Sequence, residues 1–208
     1  MTYTDDKFAE LQKGVRGKVA VYIDAANLEQ SVKEMFVIPR DISDNFKSST
    51  PPDLRWRVDY ENLKGFFEQF GDASTFHYYT PEFATENHQK FRSFLKNRLG
   101  FRLVTKPLKE YRDHTPDTPH RKANFDVEIS IDAVLQRDTY DTFILFSGDC
   151  DFEYLLKYLR GQGKTCIVFS MRGHIADELL PASNYYFDII DFRHSLLRID
   201  KKRTPAAS

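Results

Sequence analysis

One recurring alternation restricts the fold more than anything else in this chain. Almost uninterrupted apolar runs, such as "KVAVYID" (18–24), "TFILFS" (142–147) and "KTCIVFS" (164–170), are separated by stretches of helical periodicity. A strand with one wet face alternates polar and apolar residues. These runs do not, so both of their faces must be covered. Strands of that kind alternating with helices predict an α/β fold: a mostly parallel central sheet flanked by helices on both faces.

The remaining elements follow from the same reading. A helix is expected over about 59–70, with Leu63, Phe66, Phe67 and Phe70 on one face and Gly71 as its stop. A strand over 74–80 follows, then a helix through "PEFATENHQKFRSFLKNRLG" ended by Gly100 and a strand ended by Pro107. "NFDVEISIDAVLQR" and "DFEYLLKYLRGQG" read as helices. A short helix near 174–181 and a strand near 185–190 close a single domain over roughly 16–192. Residues 1–15 are an N-terminal extension and 193–208 a tail. Two stretches break the pattern, 37–57 and 108–122, and are read as loop insertions.

Composition excludes several classes. No apolar run reaches the roughly 18–20 residues a membrane helix needs. The polar start "MTYTDDKFAELQKG" is not a secretory signal. Two cysteines, Cys150 and Cys166, make no disulfide framework and no zinc spacing, so a reducing, cytoplasmic location is expected. Net charge is −1, which rules out a bulk polycation but leaves room for a local basic surface. Residues 90–112 hold eight Lys/Arg, Lys96 and Arg98 among them, against one acid, with aromatic residues between. That mixture suits a phosphate backbone with stacked bases; it also suits a solvated helix face.

The chemistry concentrates in acids at element ends. "FILFSGDCDF" (143–152) drives an apolar strand into Asp149 and Asp151. Asp24 ends the first strand and Asp126 begins a helix. In open parallel sheets, ligands sit outside the carboxyl ends of the strands. If strands 18–24 and 142–147 are neighbours, the four carboxylates converge there. Two like charges 4 Å apart repel by roughly 4 kcal/mol at an effective dielectric of about 20. A divalent cation removes that cost, and all-oxygen donors favour Mg²⁺ or Mn²⁺. Such an ion serves phosphodiester hydrolysis. Each acid also has an ordinary role: Asp151 as a helix cap, Asp24 as a strand end, Asp126 as a helix-dipole partner. Ser147 and Gly148 leave room for metal and phosphate, Asn27 can orient a carboxylate or a water, and Lys122 can hold a phosphate.

Three blocks in order, "YIDAANL" (22–28), "KANFDVEISIDA" (122–133) and "FSGDCDFEYLL" (146–156), resemble the NYN domain, a PIN-like nuclease family, and within it the LabA-like group. Weaker agreement lies in "VDYENL" (58–63) and "GKTCIVFS" (163–170). The resemblance implies metal-dependent RNA cleavage. It assigns metal-ligating and catalytic roles to Asp24, Asp126, Asp149 and Asp151, with Asn27 as partner of Asp24 and Lys122 and Glu128 in the helix block. Asp132 also matches, but six residues is about 600° around a helix, so it points away from Asp126. The chain departs from the family in having Asn184 where an acid is common, and in its long 37–57 insertion.

The expected function is therefore a divalent-metal ribonuclease, with RNA as partner, Lys122, Ser147, Lys96 and Arg98 as substrate contacts, and no membrane association. The alternative is a non-catalytic RNA-binding or regulatory module on the same fold. A haloacid-dehalogenase-like phosphatase is disfavoured because "IDAANL" lacks the Asp-x-Asp pattern, and no P-loop is present. Sequence leaves monomer and homodimer both open.

Overall fold

A computed structural model describes residues 3–42, 46, 50–70, 74–111 and 120–201. Gly71, the segment 112–119 and the end of the tail, 202–208, lie outside the described residues. In chain order the elements are α1 (Tyr3–Gly14), β1 (Val19–Asp24), α2 (Ala25–Glu34), β2 (Leu54–Val58), α3 (Tyr60–Glu68), β3 (Thr75–Glu82) and α4 (Glu86–Ser93). β4 (Arg102–Pro107), β5 (Lys109–Tyr111), β6 (His120–Lys122), α5 (Asp126–Leu135), β7 (Thr142–Phe146) and α6 (Glu153–Gly161) follow. The chain then forms β8 (Thr165–Ser170), α7 (Leu179–Ala182), β9 (Tyr185–Asp188), α8 (Arg193–Leu196) and β10 (Leu197–Lys201).

Six strands make the central sheet in the order β4-β3-β1-β7-β8-β9. Every pair is parallel. The chain works outward from β1 through β3 to β4, then returns to β7 on the other side of β1. The β1/β7 boundary is thus the topological switch point, where doubly wound sheets open a crevice at their carboxyl ends. β7 and β8 are buried along their whole length, as their unbroken apolar sequences require. Two cores result. Leu28, Val32, Leu63, Phe66, Phe67 and Leu95 from α2, α3 and the segment after α4 cover one face. Ile129, Ala133, Leu156 and Leu159 from α5 and α6 cover the other.

Several regions differ from the sequence expectation, among them the short helix expected near 174–181, which is confined to Leu179–Ala182. β3 runs on through Pro81 to Glu82, and α4 begins only at Glu86, continuing as a π-helical segment, Phe94–Arg98. Proline is tolerated there because β1 ends at Asp24, opposite Tyr79, so the missing N–H has no ladder to break on that side. Part of the 37–57 insertion is strand β2, paired antiparallel with β10. Residues 193–201, read as the start of the tail, therefore carry a helix and a strand. The 108–122 insertion holds the short antiparallel pair β5–β6 at its ends. The N-terminal extension forms α1, whose Leu11 is fully buried and whose Phe8 packs on Phe66 and Phe70.

Candidate metal centre

The site is built on the turn that follows β7. Ser147 is 1% exposed, and its hydroxyl works in both directions: it donates to Asp24 Oδ2 at 3.2 Å and accepts the Asp149 N–H at 3.3 Å. Asp24, at the end of β1, also N-caps α2 by accepting the Asn27 N–H at 3.3 Å. The Asn27 side chain then accepts the Gly148 N–H at 3.0 Å. Strand β1, helix α2 and the β7 turn are thereby locked into one unit. Asp149 caps the 3₁₀ turn Cys150–Phe152, its Oδ1 accepting the Asp151 N–H at 3.1 Å. The cap expected of Asp151 thus belongs to Asp149, because the helix opens with this extra turn.

Gly148 has no room for a side chain. A Cβ there would lie 2.0 Å from the His174 carbonyl oxygen and 2.6 Å from Ser170 Oγ. The loop carrying His174 is pinned to α2: the ring meets Ser31 Oγ through Nδ1 at 3.0 Å and Glu34 through Nε2 at 2.8 Å. The Ala176 N–H returns to the Gly148 carbonyl at 2.9 Å.

The acids feel one another. Burial pushes the Asp126 carboxyl up to about 6, helped by the charges of Asp149, Asp24 and Asp151 and opposed by a hydrogen bond from Asn124. Burial also raises Asp24; its hydrogen bonds with Asn27 and Ser147 oppose that, and Asp149 adds to it. Among the described residues, one set of three possible ligands has donor atoms within 4.8 Å of each other: Asp149, Cys150 and Asp151. Asp24 and Asp126 stand within electrostatic reach of that set without joining it. Cys150 is exposed, and its thiol is raised by desolvation and then by Asp149 and Asp151. The carboxylate oxygens on either side of it are the donor chemistry of Mg²⁺ and Mn²⁺.

The other expected residues scatter. Asp132 lies apart, accepting the Tyr79 hydroxyl at 2.8 Å. Glu128 pairs with Lys106 at 2.8 Å. Lys122 ends β6, four residues before Asp126. Ser147 is buried, and its hydroxyl is engaged by the Asp24 carboxylate and the Asp149 backbone N–H. Lys96 and Arg98 are exposed on the segment that leads into the amino end of β4, whereas the acids line the carboxyl ends of the strands. A crossover helix in a parallel unit must return to the opposite edge, so this part of the basic run does not flank the acids. Sequence reasoning missed Ser31, Glu34 and His174, which brace the turn; none lies in a recognisable motif.

Among the described residues, no helix is long and apolar enough to cross a membrane. The chain is 30% identical, over 187 residues covering 88% of it and 90% of its relative, to the low amplitude and bright protein LabA of Synechococcus elongatus. Its fold matches the crystal structure of a protein of unknown function from Vibrio parahaemolyticus, with a TM-score of 0.65 at 21% identity over 87% of this chain and 96% of that one. The family model for the NYN domain matches residues 18–191. With the acids at the switch point of a doubly wound sheet, the chain belongs to the NYN domain family.

Proposed function

We propose that this protein is a divalent-metal-dependent ribonuclease that hydrolyses RNA phosphodiester bonds within the strand. The observation that supports this reading is the placement of Asp24 at the end of β1 and of Asp149 and Asp151 just after β7, on either side of the β1/β7 switch point, with the charges of all three raising Asp126. Carboxylates so placed favour a hard cation, and Asp24, Asp126, Asp149 and Asp151 would hold Mg²⁺ or Mn²⁺. When bound, such an ion supplies Lewis acidity to the phosphodiester and lowers the pKa of bound water. The protein's own part is to fix the carboxylates. Ser147 holds Asp24 and the backbone of Asp149 at a set spacing. Asn27 fixes the Gly148 turn, and Gly148 keeps that turn against the His174 loop. Lys122, at the end of the ribbon before Asp126, is the proposed phosphate contact.

The test is cleavage of a single-stranded RNA by purified protein in Mg²⁺ or Mn²⁺, with chelator, beside Asp149→Asn. Asparagine keeps an oxygen to cap the 3₁₀ turn, so the variant should fold. Its cleavage should fall by more than the ~100-fold seen at the top of the range for residues behind metal ligands. Equal cleavage by both proteins, or cleavage indifferent to chelator, overturns the assignment.

A further inference from the structure

We infer that the groove between the β2–β10 ribbon and the start of α4 is a binding path for single-stranded RNA that ends at Asp24. The inference rests on the ribonuclease reading for its substrate. The groove measures about 770 Å³, and its walls include residues of α2, β2, α3, β3, α4 and β10.

The ribbon supplies the first argument. Side chains alternate across a strand, and here Leu54 and Trp56 turn into the core while Arg55 and Arg57 lie on the other side. In the antiparallel register, Arg57 stands directly opposite Arg198. Like charges facing each other across two strands destabilise a sheet, so folding does not ask for this pair. Among the described residues Arg57 is answered by Asp200 at 3.3 Å and Arg198 by the half-buried Asp59 at 3.9 Å, and both arginine side chains keep about half of their surface in solvent. Arginines this exposed gain little from such pairs and can turn to a phosphate. The groove lining as a whole carries five Lys/Arg against three Asp/Glu, in a protein whose net charge is −1.

The facing wall supplies the bases' partner. Phe83 is 36% exposed, and its ring lies 4.5 Å from that of His88 at an angle of 31°. Stacking on such rings tolerates any base. On the floor, the Tyr60 and Tyr78 hydroxyls converge on Glu29 Oε1 at 3.2 and 2.9 Å. A carboxylate there repels phosphates, so the backbone runs along the arginine wall with the bases inward. A duplex keeps its bases paired and its phosphates outside, which does not fit this division. The groove itself is not lined by the acids; its nearest lining residues in the chain are Ala26, two residues after Asp24, and Thr80, one residue beyond the Tyr79 that pairs with Asp24, and the strand would pass from there to the acids.

The experiment is anisotropy of a short labelled single-stranded RNA with the full chain in chelator, across a salt series. Arg57→Ser with Arg198→Ser should weaken binding about tenfold and flatten the log–log salt slope by about 1.4, or 0.7 per lost phosphate contact. Phe83→Ala should weaken it about fivefold, and Phe83→Tyr should restore it. Unchanged affinity and slope in the folded double variant overturn the groove while leaving catalysis standing. Equal affinity for a blunt duplex of the same length, or no RNA retained by the parent protein at low salt, also overturns it. Loss of binding in the groove variants together with full cleavage by Asp149→Asn would support the groove and sink the catalytic assignment.

Discussion

Asn27 Oδ1 accepts the backbone N–H of Gly148 at 3.0 Å, tying the first turn of α2 to the turn that presents Asp149. Asn27→Ala leaves a part-buried donor without a protein partner, at a cost of about 1–3 kcal/mol. For a chain of this size that corresponds to a drop in Tm of roughly 2–12 °C. Asn27→Asp keeps the acceptor but adds a carboxylate beside Asp24. It should melt below the parent in chelator and recover in Mn²⁺. Thermal melts of both variants, with and without the ion, check this; an Asn27→Ala protein that melts like the parent would show the bond contributes nothing.

The two acids after β7 should separate cleanly. Asp149 caps the 3₁₀ turn and meets Ser147 through its backbone, whereas Asp151 is exposed and its carboxylate accepts the Cys150 thiol at 3.9 Å. Asp151→Asn should keep stability within about 0.5 kcal/mol, as exposed substitutions do. It should lose less cleavage than Asp149→Asn. A larger loss in Asp151→Asn would exchange their roles.

The sheet was legible because its strands are buried on both faces and so announce themselves as continuous apolar runs; β1, β7 and β8 needed nothing else. The acids were legible for the same reason, since a carboxylate directly after such a run must sit at a strand end. What stayed hidden depends on partners distant in sequence. β2 and β10 are five residues each and pair across the whole chain. Their one signal, arginine at every second position in "LRWRV", is too short to outweigh the prolines beside it. The basic run 90–112 misled differently. It is contiguous in sequence, but its helix carries Arg92 to the groove and Lys96 and Arg98 toward the opposite edge. Charge clusters by position along the chain say nothing of the edge at which each cation arrives.

Gly148→Ala tests how tightly the metal-site turn is packed. The added methyl would meet the His174 carbonyl oxygen at 2.0 Å, and backbone cannot step aside as a flexible side chain can. The loop is also held by Ser31 and Glu34 through the His174 ring. Overpacking of this kind costs about 1–3 kcal/mol and sometimes more. The variant should melt several degrees lower and cleave poorly. His174→Ala in the same background removes the pins on the loop and should recover part of the stability. No recovery would place the strain on Ser170 instead, whose Oγ is the next nearest atom at 2.6 Å.

His77 should make the fold acid-sensitive for reasons unrelated to the metal site. Its ring is 2% exposed, stacks on Tyr22 at 4.3 Å, and has a buried Nδ1 with no hydrogen-bond partner among the described residues. Burial pulls the imidazole down to about 4, with the Arg102 charge adding to the effect and Asp132 opposing it. Above pH 6.5 the ring is neutral in both folded and unfolded chains, so it adds no pH dependence. Between 6.5 and about 4 the unfolded chain takes up a proton that the folded chain refuses. Stability therefore falls as pH drops through that window, by up to ~3 kcal/mol if the ring stays fully desolvated. His77→Phe keeps an aromatic ring against Tyr22 and removes the titration. Denaturant melts at pH 7 and pH 5 should show a smaller loss for the variant than for the parent, and equal losses would mean that the folded protein admits the proton at His77 after all.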